Sequence, residues 1–285
     1  MSENGDLKTI KSTQYLIAAA RMAIEAGNAI LDIYNSDFEV ETKADQSPLT
    51  AADKRSHEII QAGLAHFKIP LISEEGKSIP YQERKRWDTA WIIDPLDGTK
   101  EFIKRNGEFT INIALIDNQK PVLGVVFAPV PGWLYVAAVE IGAYKITGSA
   151  LDDFYMNTTS PMDKQLTELL HRGDKLPATH YERKIYTIVG SRSHGTPELE
   201  AFVENKRSEK GDVDFIAAGS SLKICLVAEG SADIYPRLGP TMEWDTAAGQ
   251  AIAECAGARV YLYEDGRALR YNRENQLNPY FIVER

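Results

Sequence analysis

The sequence has 285 residues, of which 44% are hydrophobic and 26% charged, the composition of a globular protein with one large domain or two of ordinary size. Its formal charge of −9 argues against a general nucleic-acid-binding surface. No run approaches the roughly 18 apolar residues that span a bilayer, and the polar residues 1–12 lack the apolar core of a secretory signal. Cys225 and Cys255 are isolated within apolar patterns, so we expect reduced thiols and a cytoplasmic protein.

The first half of the chain carries helical patterns followed by strand patterns. Apolar residues at helical spacing predict a long first helix, and Thr50 followed by Asp53 predicts the N-terminus of a second helix. Alternation after residue 108 predicts an antiparallel sheet. The predicted elements are a helix (12–34), a hairpin (38–49), a helix (50–67) and strands at 69–72, 91–93, 108–117, 122–127, 134–139 and 142–147.

The second half has an α/β pattern, in which helices and strands follow one another. Its predicted elements are strands at 185–189, 233–235 and 259–263 and helices at 221–229 and 246–256, with Gly257 at a C′ position. The basic run 171–184 is predicted to be a surface loop. The polar stretch 148–165 is the predicted boundary, which divides the chain into an N-terminal α+β domain (1–150) and a C-terminal α/β domain (151–285).

One short stretch stands out, because the apolar run Trp91-Ile92-Ile93 ends in Asp94-Pro95-Leu96-Asp97-Gly98-Thr99. The proline fixes φ and favours a tight turn, which can aim both carboxylates and the Leu96 carbonyl at one point. Gly98 permits close backbone approach, and a helix that begins near Thr99 offers free N–H groups to an anion. This pattern indicates a site for a cation and an anion together.

Each further acidic candidate has a structural alternative when it is taken alone. Asp53 can simply cap its helix, Asp245 is suited to the N-cap of the helix that follows it, and Glu74 can be a solvated charge after a strand. Taken together, Glu74, Asp94 and Asp245 each lie at the end of an apolar run, where side chains can converge. Carboxylates and a carbonyl oxygen are hard ligands suited to magnesium.

These residues resemble a known family. The segment Asp94–Thr99, the upstream Ser73-Glu74-Glu75 and the downstream segment Trp244–Gly249 resemble the inositol monophosphatase superfamily of metal-dependent, lithium-sensitive phosphatases, over about residues 12 to 280. The segment Lys100–Phe109 is similar to the CysQ-type 3′(2′),5′-bisphosphate nucleotidase branch. Segments 191–194, 219–223 and 235–237 are also similar to that branch. The resemblance implies a layered α-β-α-β-α sandwich of the inositol monophosphatase and fructose-1,6-bisphosphatase type.

The resemblance also implies a division of roles among the acidic residues. Glu74, Asp94 and the Leu96 carbonyl are expected to bind one Mg²⁺, and Asp94, Asp97 and Asp245 a second. Glu74 is expected to hold a third through water, which gives two or three ions per active site. Asp53 and Thr99 are expected to be catalytic, because they would hold and activate the attacking water.

The substrate that the resemblance implies is adenosine 3′,5′-bisphosphate, whose second phosphate needs cations that are not metals. Lys223 and Arg237 are the candidates, with Ser220 and His194 as hydrogen-bond partners. Lys223 can instead be a helix lysine that extends its charge to solvent, and His194 an ordinary loop histidine. The expected substrate-binding residues are Glu74, Leu96, Asp97, Gly98, Thr99, Ser191, His194, Gly219, Ser220, Lys223, Arg237 and Asp245.

The expected reaction is hydrolysis of the 3′-phosphate to give AMP and phosphate in sulfur assimilation. The sequence leaves open whether the sulfated analogue PAPS or the 2′,5′ isomer is also a substrate. The alternatives are a phosphatase for inositol or sugar phosphates, and a non-catalytic metal- or nucleotide-binding protein. No nucleic-acid partner and no integral membrane contact are expected. Peripheral attachment to the cytoplasmic face of the inner membrane, and the choice between monomer and homodimer, are left open.

Overall fold

The computed structural model of the chain describes residues 3–42, 48–178, 185–191 and 196–285. The helices are α1 (Glu3–Tyr34), α2 (Ala51–Leu64), α3 (Tyr81–Arg84), α4 (Thr99–Ile103), α5 (Ser149–Met156), α6 (Met162–His171), α7 (Pro197–Lys210), α8 (Leu222–Glu229) and α9 (Glu243–Cys255). The strands are β1 (Val40–Thr42), β2 (Pro48–Thr50), β3 (Leu71–Ser73), β4 (Thr89–Asp97), β5 (Thr110–Asp117), β6 (Lys120–Ala128), β7 (Trp133–Ala138), β8 (Gly142–Thr147), β9 (Asp174–Lys175), β10 (Tyr186–Gly190), β11 (Val213–Ala217), β12 (Ile234–Arg237), β13 (Arg259–Leu262) and β14 (Phe281–Glu284).

A seven-stranded sheet runs in chain order from β3 to β9. Its first pair, β3 and β4, is parallel, and the remaining neighbours are antiparallel. Successive side chains of a strand point to opposite faces, so Trp91 and Ile93 of β4 pack with α1 and α2, while Ile92 packs in the second core with α8 and α9. Both faces are covered by helices, which explains why β4 and β5 are apolar along almost their whole length.

A second sheet has the order β11-β10-β12-β14-β13. Its first three strands are parallel, and β14 and β13 are antiparallel to their neighbours. One face shares the second core with α8 and α9, and the other carries Ile188, Ile234 and Ile282 against Phe202 of α7. The layers are therefore helix, seven-stranded sheet, helix, five-stranded sheet and helix, which confirms the predicted α-β-α-β-α sandwich.

The segment that follows β8 is built differently from the sequence prediction. Helices α5 and α6 occupy much of the predicted boundary at 148–165, and Arg21 of α1 donates to the main-chain oxygens of Phe154 and Tyr155 at 3.0 and 2.9 Å. Strand β9, within the predicted surface loop, pairs with β8. The elements of residues 149–175 therefore lie with the seven-stranded sheet, and the proposed division of the chain at residue 150 stays a prediction.

Other local predictions have mixed outcomes. Strands β1 and β2 pair antiparallel, which confirms the hairpin, although residues 43–47 between them lie outside the described part. Helix α7 and strands β11 and β14 were not predicted. In α7 the reason is that only Leu199 is buried, so the helix has no apolar stripe that its sequence could reveal. Among the described residues, no helix combines the length and the apolar character that crossing a membrane requires.

Candidate active site

The Asp94–Thr99 turn lies at the end of β4, where the strand is irregular. Asp94 is opposite Asn112 and Asp97 opposite Thr110, so β4 holds one residue more than β5 over this interval. An extra residue bends a strand and re-aims its side chains. The Leu96 N–H donates to Asp94 Oδ1 at 3.1 Å. The bulge and this bond bring Asp94 and Asp97 to the same cavity instead of opposite faces of the sheet.

Three carboxylates meet in that cavity. One oxygen from each of Asp94, Asp97 and Asp245 lies within 4.8 Å of the others, among the residues that the structure describes. Burial, followed by the charges of Glu74, Asp97 and Asp245, raises the pKa of Asp94 well above its usual value. Burial and the Asp97 charge raise the pKa of Asp245 to about 8. Ionised carboxylates at such distances are unfavourable without a cation among them, and hard oxygen ligands of this kind suit a divalent metal.

Glu74 and Leu96 complete the set of predicted metal ligands in the same cavity. It has a volume of about 450 Å³ and is lined by Glu74, Asp94, Leu96, Asp97, Gly98, Thr99 and Asp245, among others. The Glu74 N–H donates to Ile93 O at 3.3 Å, which ties the residue after β3 to the end of β4. The side chain of Leu96 is buried in the core, so its main chain is the part that can serve a cation. Use of its carbonyl oxygen stays a prediction.

Asp53 performs the helix capping that its sequence context predicts and also contacts Thr99. Its Oδ2 accepts from the Thr50 N–H at 2.8 Å and from Thr50 Oγ1 at 2.6 Å, the capping-box arrangement at the start of α2. Its Oδ1 accepts from Thr99 Oγ1 at 3.2 Å. The two oxygens therefore divide the two functions between them, and capping does not exclude a catalytic role.

Asp245 has an equivalent position in α9, which differs from the N-cap position considered as its structural alternative. The N-cap of α9 is Met242, so Asp245 is the third helical residue and not the N-cap. Its Oδ2 accepts from the Met242 N–H at 2.9 Å. The helix therefore starts at Glu243, three residues earlier than predicted. The buried Glu243 carboxylate accepts from the N–H groups of Asn272 and Arg273 at 2.8 and 2.9 Å.

Two glycines permit the close approach of the two turns that line the site. Gly98 has φ +95°, and a Cβ there would lie 2.2 Å from Ser220 Oγ. A Cβ on Gly219 would lie 2.6 Å from the main-chain oxygen of Glu108. The Ser220 hydroxyl lies 2.7 Å from Asp97 O and 2.8 Å from Glu108 O. Ser220 therefore supports the Asp97–Gly98 turn, and its contact with substrate stays a prediction.

A cationic region adjoins the acidic cavity. A cavity of about 130 Å³ holds two cations, Lys223 and Arg237, together with three carboxylates. Its lining includes Asp97, Gly98, Glu101, Ser191, Gly219, Ser220, Ser221, Lys223, Arg237 and Asp245. Lys223 Nζ donates to Ser220 O at 2.7 Å and to Ala218 O at 3.3 Å, which leaves a third N–H. Burial lowers the pKa of Lys223 to about 8. The lysine is therefore buried in the wall and does not extend to solvent.

Arg237 lines both this cavity and a neighbouring one of about 290 Å³. Its Nη2 donates to Pro240 O at 2.6 Å. Its Nε is buried and meets no acceptor among the described residues, which is costly unless a ligand supplies one. The structure thus brings Ser191, Gly219, Ser220, Lys223 and Arg237 to one region, while the predicted His194 lies outside the described residues.

Sequence reasoning missed the polar groups behind Asp97. Asp97 Oδ2 lies 2.9 Å from Ser221 Oγ, 3.4 Å from Asn112 Nδ2 and 3.5 Å from Thr110 Oγ1. A signal was available for Asn112, because it is a polar residue inside the apolar run of β5. A second contact had no sequence signal: His57 Nδ1 lies 2.9 Å from Ser73 Oγ. This contact links α2 to the residue before Glu74.

Comparison with known proteins gives a consistent result. A model of the inositol monophosphatase family matches residues 11–279. The 3′(2′),5′-bisphosphate nucleotidase CysQ of Escherichia coli (strain K12) is 42% identical over 268 residues, which cover 92% of this chain and 96% of the relative. The protein of the same name from Haemophilus influenzae is 33% identical and covers 92% of this chain and 89% of its own.

Solved structures agree with the sequence comparisons. The crystal structure of CysQ from Bacteroides thetaiotaomicron, described as a bacterial member of the inositol monophosphatase family, has a TM-score of 0.85 at 47% identity. The match covers 95% of this chain and 97% of that one. An inositol monophosphatase from Thermotoga maritima matches with a TM-score of 0.66 at 20% identity, with 93% and 89% coverage, and shows the shared fold alone. The chain therefore belongs to the inositol monophosphatase family.

Proposed function

We propose that this protein is a Mg²⁺-dependent 3′(2′),5′-bisphosphate nucleotidase, which hydrolyses the 3′-phosphate of adenosine 3′,5′-bisphosphate to give AMP and phosphate. One observation carries the proposal: the acidic cavity and the cationic cavity share Asp97, Gly98 and Asp245 in their walls. A substrate with two phosphates can therefore present one to the acidic cavity, through divalent cations, and the other to Lys223 and Arg237.

The names of the relatives support this substrate class. Relatives called 3′(2′),5′-bisphosphate nucleotidase cover nearly the whole chain at 42 to 44% identity. The inositol monophosphatases that share the fold are about half as similar, at 20 to 22% identity. The combination favours a nucleotidase over a phosphatase for inositol or sugar phosphates. PAPS, with release of APS, is a further candidate substrate that the same cavities can accommodate by charge.

The metal ions belong in the acidic cavity. Glu74, Asp94 and the Leu96 carbonyl would hold one Mg²⁺, and Asp94, Asp97 and Asp245 a second, with Glu74 supporting a third through water. When bound, the ions neutralise the phosphate charge and stabilise the attacking and leaving oxygens of an in-line displacement. The raised pKa values of Asp94 and Asp245 support this assignment, since a cation would relieve the repulsion that causes part of each shift.

Asp53 and Thr99 are proposed to accept the proton of the attacking water. Thr99 Oγ1 donates to Asp53 Oδ1, so the hydroxyl oxygen can accept from a water. As the water oxygen bonds to phosphorus, its proton passes to Thr99 Oγ1 and the Thr99 proton passes to Asp53 Oδ1. The bond between phosphorus and the 3′ oxygen breaks, and the 3′ oxygen takes a proton from solvent to give AMP. The free N–H groups at the start of α4, with Gly98 as its N-cap, can stabilise the phosphate oxygens.

The second phosphate is proposed to bind in the cationic region. Lys223 has one N–H beyond its two main-chain acceptors, and Arg237 has a buried Nε without an acceptor among the described residues. Both donors can be satisfied by a phosphate, for which the planar guanidinium is well shaped. Ser191, Gly219 and Ser220 border the same cavity. His194 is included in the proposal on the family resemblance alone.

The experiment that tests the function is a side-by-side phosphate-release assay with Mg²⁺. The substrates are adenosine 3′,5′-bisphosphate, its 2′,5′ isomer, PAPS, inositol 1-phosphate and fructose 1,6-bisphosphate. We expect the highest kcat/KM for adenosine 3′,5′-bisphosphate. A higher kcat/KM for inositol 1-phosphate would transfer the assignment to the alternative phosphatase, and no release from any of them would leave a binding protein.

We also propose that the protein works in the cytoplasm. Cys225 is buried, Cys255 is partly buried, and both are free thiols, which is compatible with the reducing cytoplasm. We propose a small-molecule nucleotide as the partner of the site, with the chain acting as a monomer or homodimer. Size-exclusion chromatography with light scattering separates these two states.

A further inference from the structure

A buried polar pair adjoins the acidic residues Asp97 and Asp245, and its serine also lines the 130 Å³ cavity. Asn112 of β5 and Ser221, the residue before α8, are both almost completely buried. Asn112 Nδ2 donates to Ser221 Oγ at 2.9 Å. The same Ser221 Oγ lies 2.9 Å from Asp97 Oδ2 and 2.6 Å from the main-chain oxygen of Asp245. One hydroxyl therefore touches two of the acidic residues, which are far apart in the chain.

The hydrogen-bond inventory of Ser221 determines what its proton can do. A serine hydroxyl has one proton and two lone pairs, and Asn112 already donates to the oxygen. The carbonyl side of Asn112 is fixed in turn, because Oδ1 accepts from Thr110 Oγ1 at 3.0 Å. The Ser221 proton must therefore point to Asp97 or to Asp245. The Ser221 oxygen lies between the Asp97 side chain and the Asp245 main chain, and its single proton is directed at one of these two acceptors or shared between them.

This contact also distinguishes the two oxygens of Asp97. Among the described residues, the polar atoms that contact the Asp97 carboxylate are Ser221 Oγ at 2.9 Å, Asn112 Nδ2 at 3.4 Å and Thr110 Oγ1 at 3.5 Å, and all three lie against Oδ2. Oδ1 is in contact with none of these three atoms. Groups that hydrogen-bond to a metal-binding side chain orient it and affect metal affinity. We propose that Ser221, held by Asn112, is a positioning residue that fixes Asp97 against Asp245 and thereby sets the affinity of the acidic cluster for divalent cations.

A purely structural role for the Ser221 hydroxyl is the competing explanation. Ser221 precedes α8 with φ −70° and ψ −6°, and its side chain makes no capping hydrogen bond to that helix. The helix is instead closed by main-chain bonds from the N–H groups of Ile224 and Cys225 to Ser221 O. An alanine keeps these bonds. The loss of the hydroxyl should therefore act on the acidic cluster more than on α8.

The test measures cation binding in the absence of substrate. Ser221→Ala is compared with the wild-type protein by calorimetric titration with Mg²⁺. The expected result is a dissociation constant raised by about 10-fold or more, the usual effect of losing a partner of a metal ligand. Activity should show the same change as a higher Mg²⁺ concentration for half-maximal turnover, with much of the turnover restored at saturating Mg²⁺.

A matched control and a second variant make the test specific. Ser231 also donates its hydroxyl to a buried carboxylate, Glu229 Oε1 at 2.6 Å, and it does not line the acidic cavity. Ser231→Ala should keep the Mg²⁺ dissociation constant within about 2-fold of the wild type, since it removes a serine–carboxylate bond outside the cluster. Asn112→Ala removes the group that holds Ser221 and should weaken Mg²⁺ binding in the same direction, so it carries the test if Ser221→Ala fails to fold.

The proposal and the proposed function fail in different ways. The positioning role of Ser221 rests on the part of the proposed function that makes the acidic cluster a Mg²⁺ site, and not on the identity of the substrate. A folded Ser221→Ala protein with an unchanged Mg²⁺ dissociation constant would overturn it, even if the protein hydrolyses adenosine 3′,5′-bisphosphate. An inactive wild-type protein that binds Mg²⁺, and binds it more weakly after Ser221→Ala, would support the positioning role while rejecting the nucleotidase.

Discussion

The acidic cavity and the cationic cavity respond to burial in opposite ways. Burial raises the pKa of Asp245 to about 8 and lowers the pKa of Lys223 to about 8. In each case the charged form is disfavoured, because charge is poorly solvated in a buried site. The acidic cavity therefore gains from a bound cation and the cationic cavity from a bound anion. A bisphosphate that carries divalent cations supplies both ligands at once.

The two regions differ in how their charges are held. Asp94 and Asp245 are destabilised by other carboxylates, with Glu74 and Asp97 among the causes of their raised pKa values. The charge of Lys223 is instead favoured by Asp97, as well as disfavoured by Arg237. The acidic region thus depends on an added ion for its balance, whereas the cationic region is partly balanced by the protein itself. Loss of metal should be more damaging than loss of any one cationic side chain.

Removal of divalent cations should have the largest effect. In excess chelator we expect phosphate release to fall to background, because Glu74, Asp94, Asp97 and Asp245 then have no cation to share and repel the phosphate. Readdition of Mg²⁺ should restore it. The measurement is phosphate release before and after chelation, with circular dichroism as the control for folding. Full activity in excess chelator would contradict the metal assignment.

Asp53→Asn should have the next largest effect. The substitution separates the two roles of Asp53, which are capping α2 and accepting a proton through Thr99. An amide can keep one acceptor toward Thr50, so the stability loss should be no more than a helix cap, roughly 0.5–2 kcal/mol. It cannot take a proton from Thr99, so kcat should fall by about 10²–10⁴-fold. Single-turnover kinetics and thermal unfolding measure the two effects separately, and Thr99→Ala should show a kinetic loss of the same kind.

Asp163→Asn is a matched control for this substitution. Asp163 is an exposed acid in the first turn of α6, so its change should cost about 0.3–1 kcal/mol at most and leave kcat unchanged. A folded Asp53→Asn enzyme with near-normal turnover would return Asp53 to the helix cap alone. It would also leave the proton acceptor unassigned.

These two helix starts show what the sequence can predict. The capping pattern at Thr50 and Asp53 is local, so it was predictable and is confirmed. The N-cap position considered for Asp245 was wrong, because its carboxylate accepts from the Met242 N–H and α9 begins at Glu243. An aspartate can cap a helix from the N-cap or from the third helical residue, so the residue type alone does not determine where the helix begins.

The same limit applies to the site as a whole. The turn at Asp94–Thr99 and the family resemblance indicated four acidic candidates. These residues, Glu74, Asp94, Asp97 and Asp245, do line one cavity, and their binding of metal stays a prediction. The contact of Ser221 with Asp97 joins residues 124 positions apart. Both Ser220 and Ser221 lie in segment 219–223, which the resemblance singled out, but only Ser220 was given a role, because nothing local links Ser221 to Asp97. Residues that act through another side chain are visible only once the layers are packed.

Arg237→Ala should have a smaller effect, confined to substrates with a second phosphate. A hydrogen bond to a charged group contributes about 1.5–3 kcal/mol, so KM for adenosine 3′,5′-bisphosphate should rise by about 10- to 100-fold. Adenosine 3′-monophosphate has the same scissile bond without the second phosphate, and its KM should change little. Steady-state kinetics with both substrates make the comparison.

Arg237→Lys sharpens this prediction. Lysine keeps the positive charge but lacks the Nε donor and the planar fork, so KM for the bisphosphate should lie between those of the wild type and Arg237→Ala. Equal losses on both substrates in Arg237→Ala would indicate that Arg237 supports the fold, through its bond to Pro240 O, and not the second phosphate.

The smallest effect should be a pH dependence that arises from Lys223. Its pKa is lowered from 10.5 to about 8 by burial, so the folded protein loses this proton as the pH rises through about 8. Anion binding needs the charged form, so KM for adenosine 3′,5′-bisphosphate should rise above pH 8, by about 10-fold per pH unit at most. The phosphates themselves do not interfere, since their second pKa is near 6.

The unfolded chain keeps the Lys223 proton to about pH 10.5, so between about pH 8 and pH 10.5 the same group makes the free energy of unfolding rise with pH. Lys223→Arg stays charged and should flatten both profiles, whereas an unchanged KM profile in Lys223→Arg would mean that another group controls the binding of the second phosphate.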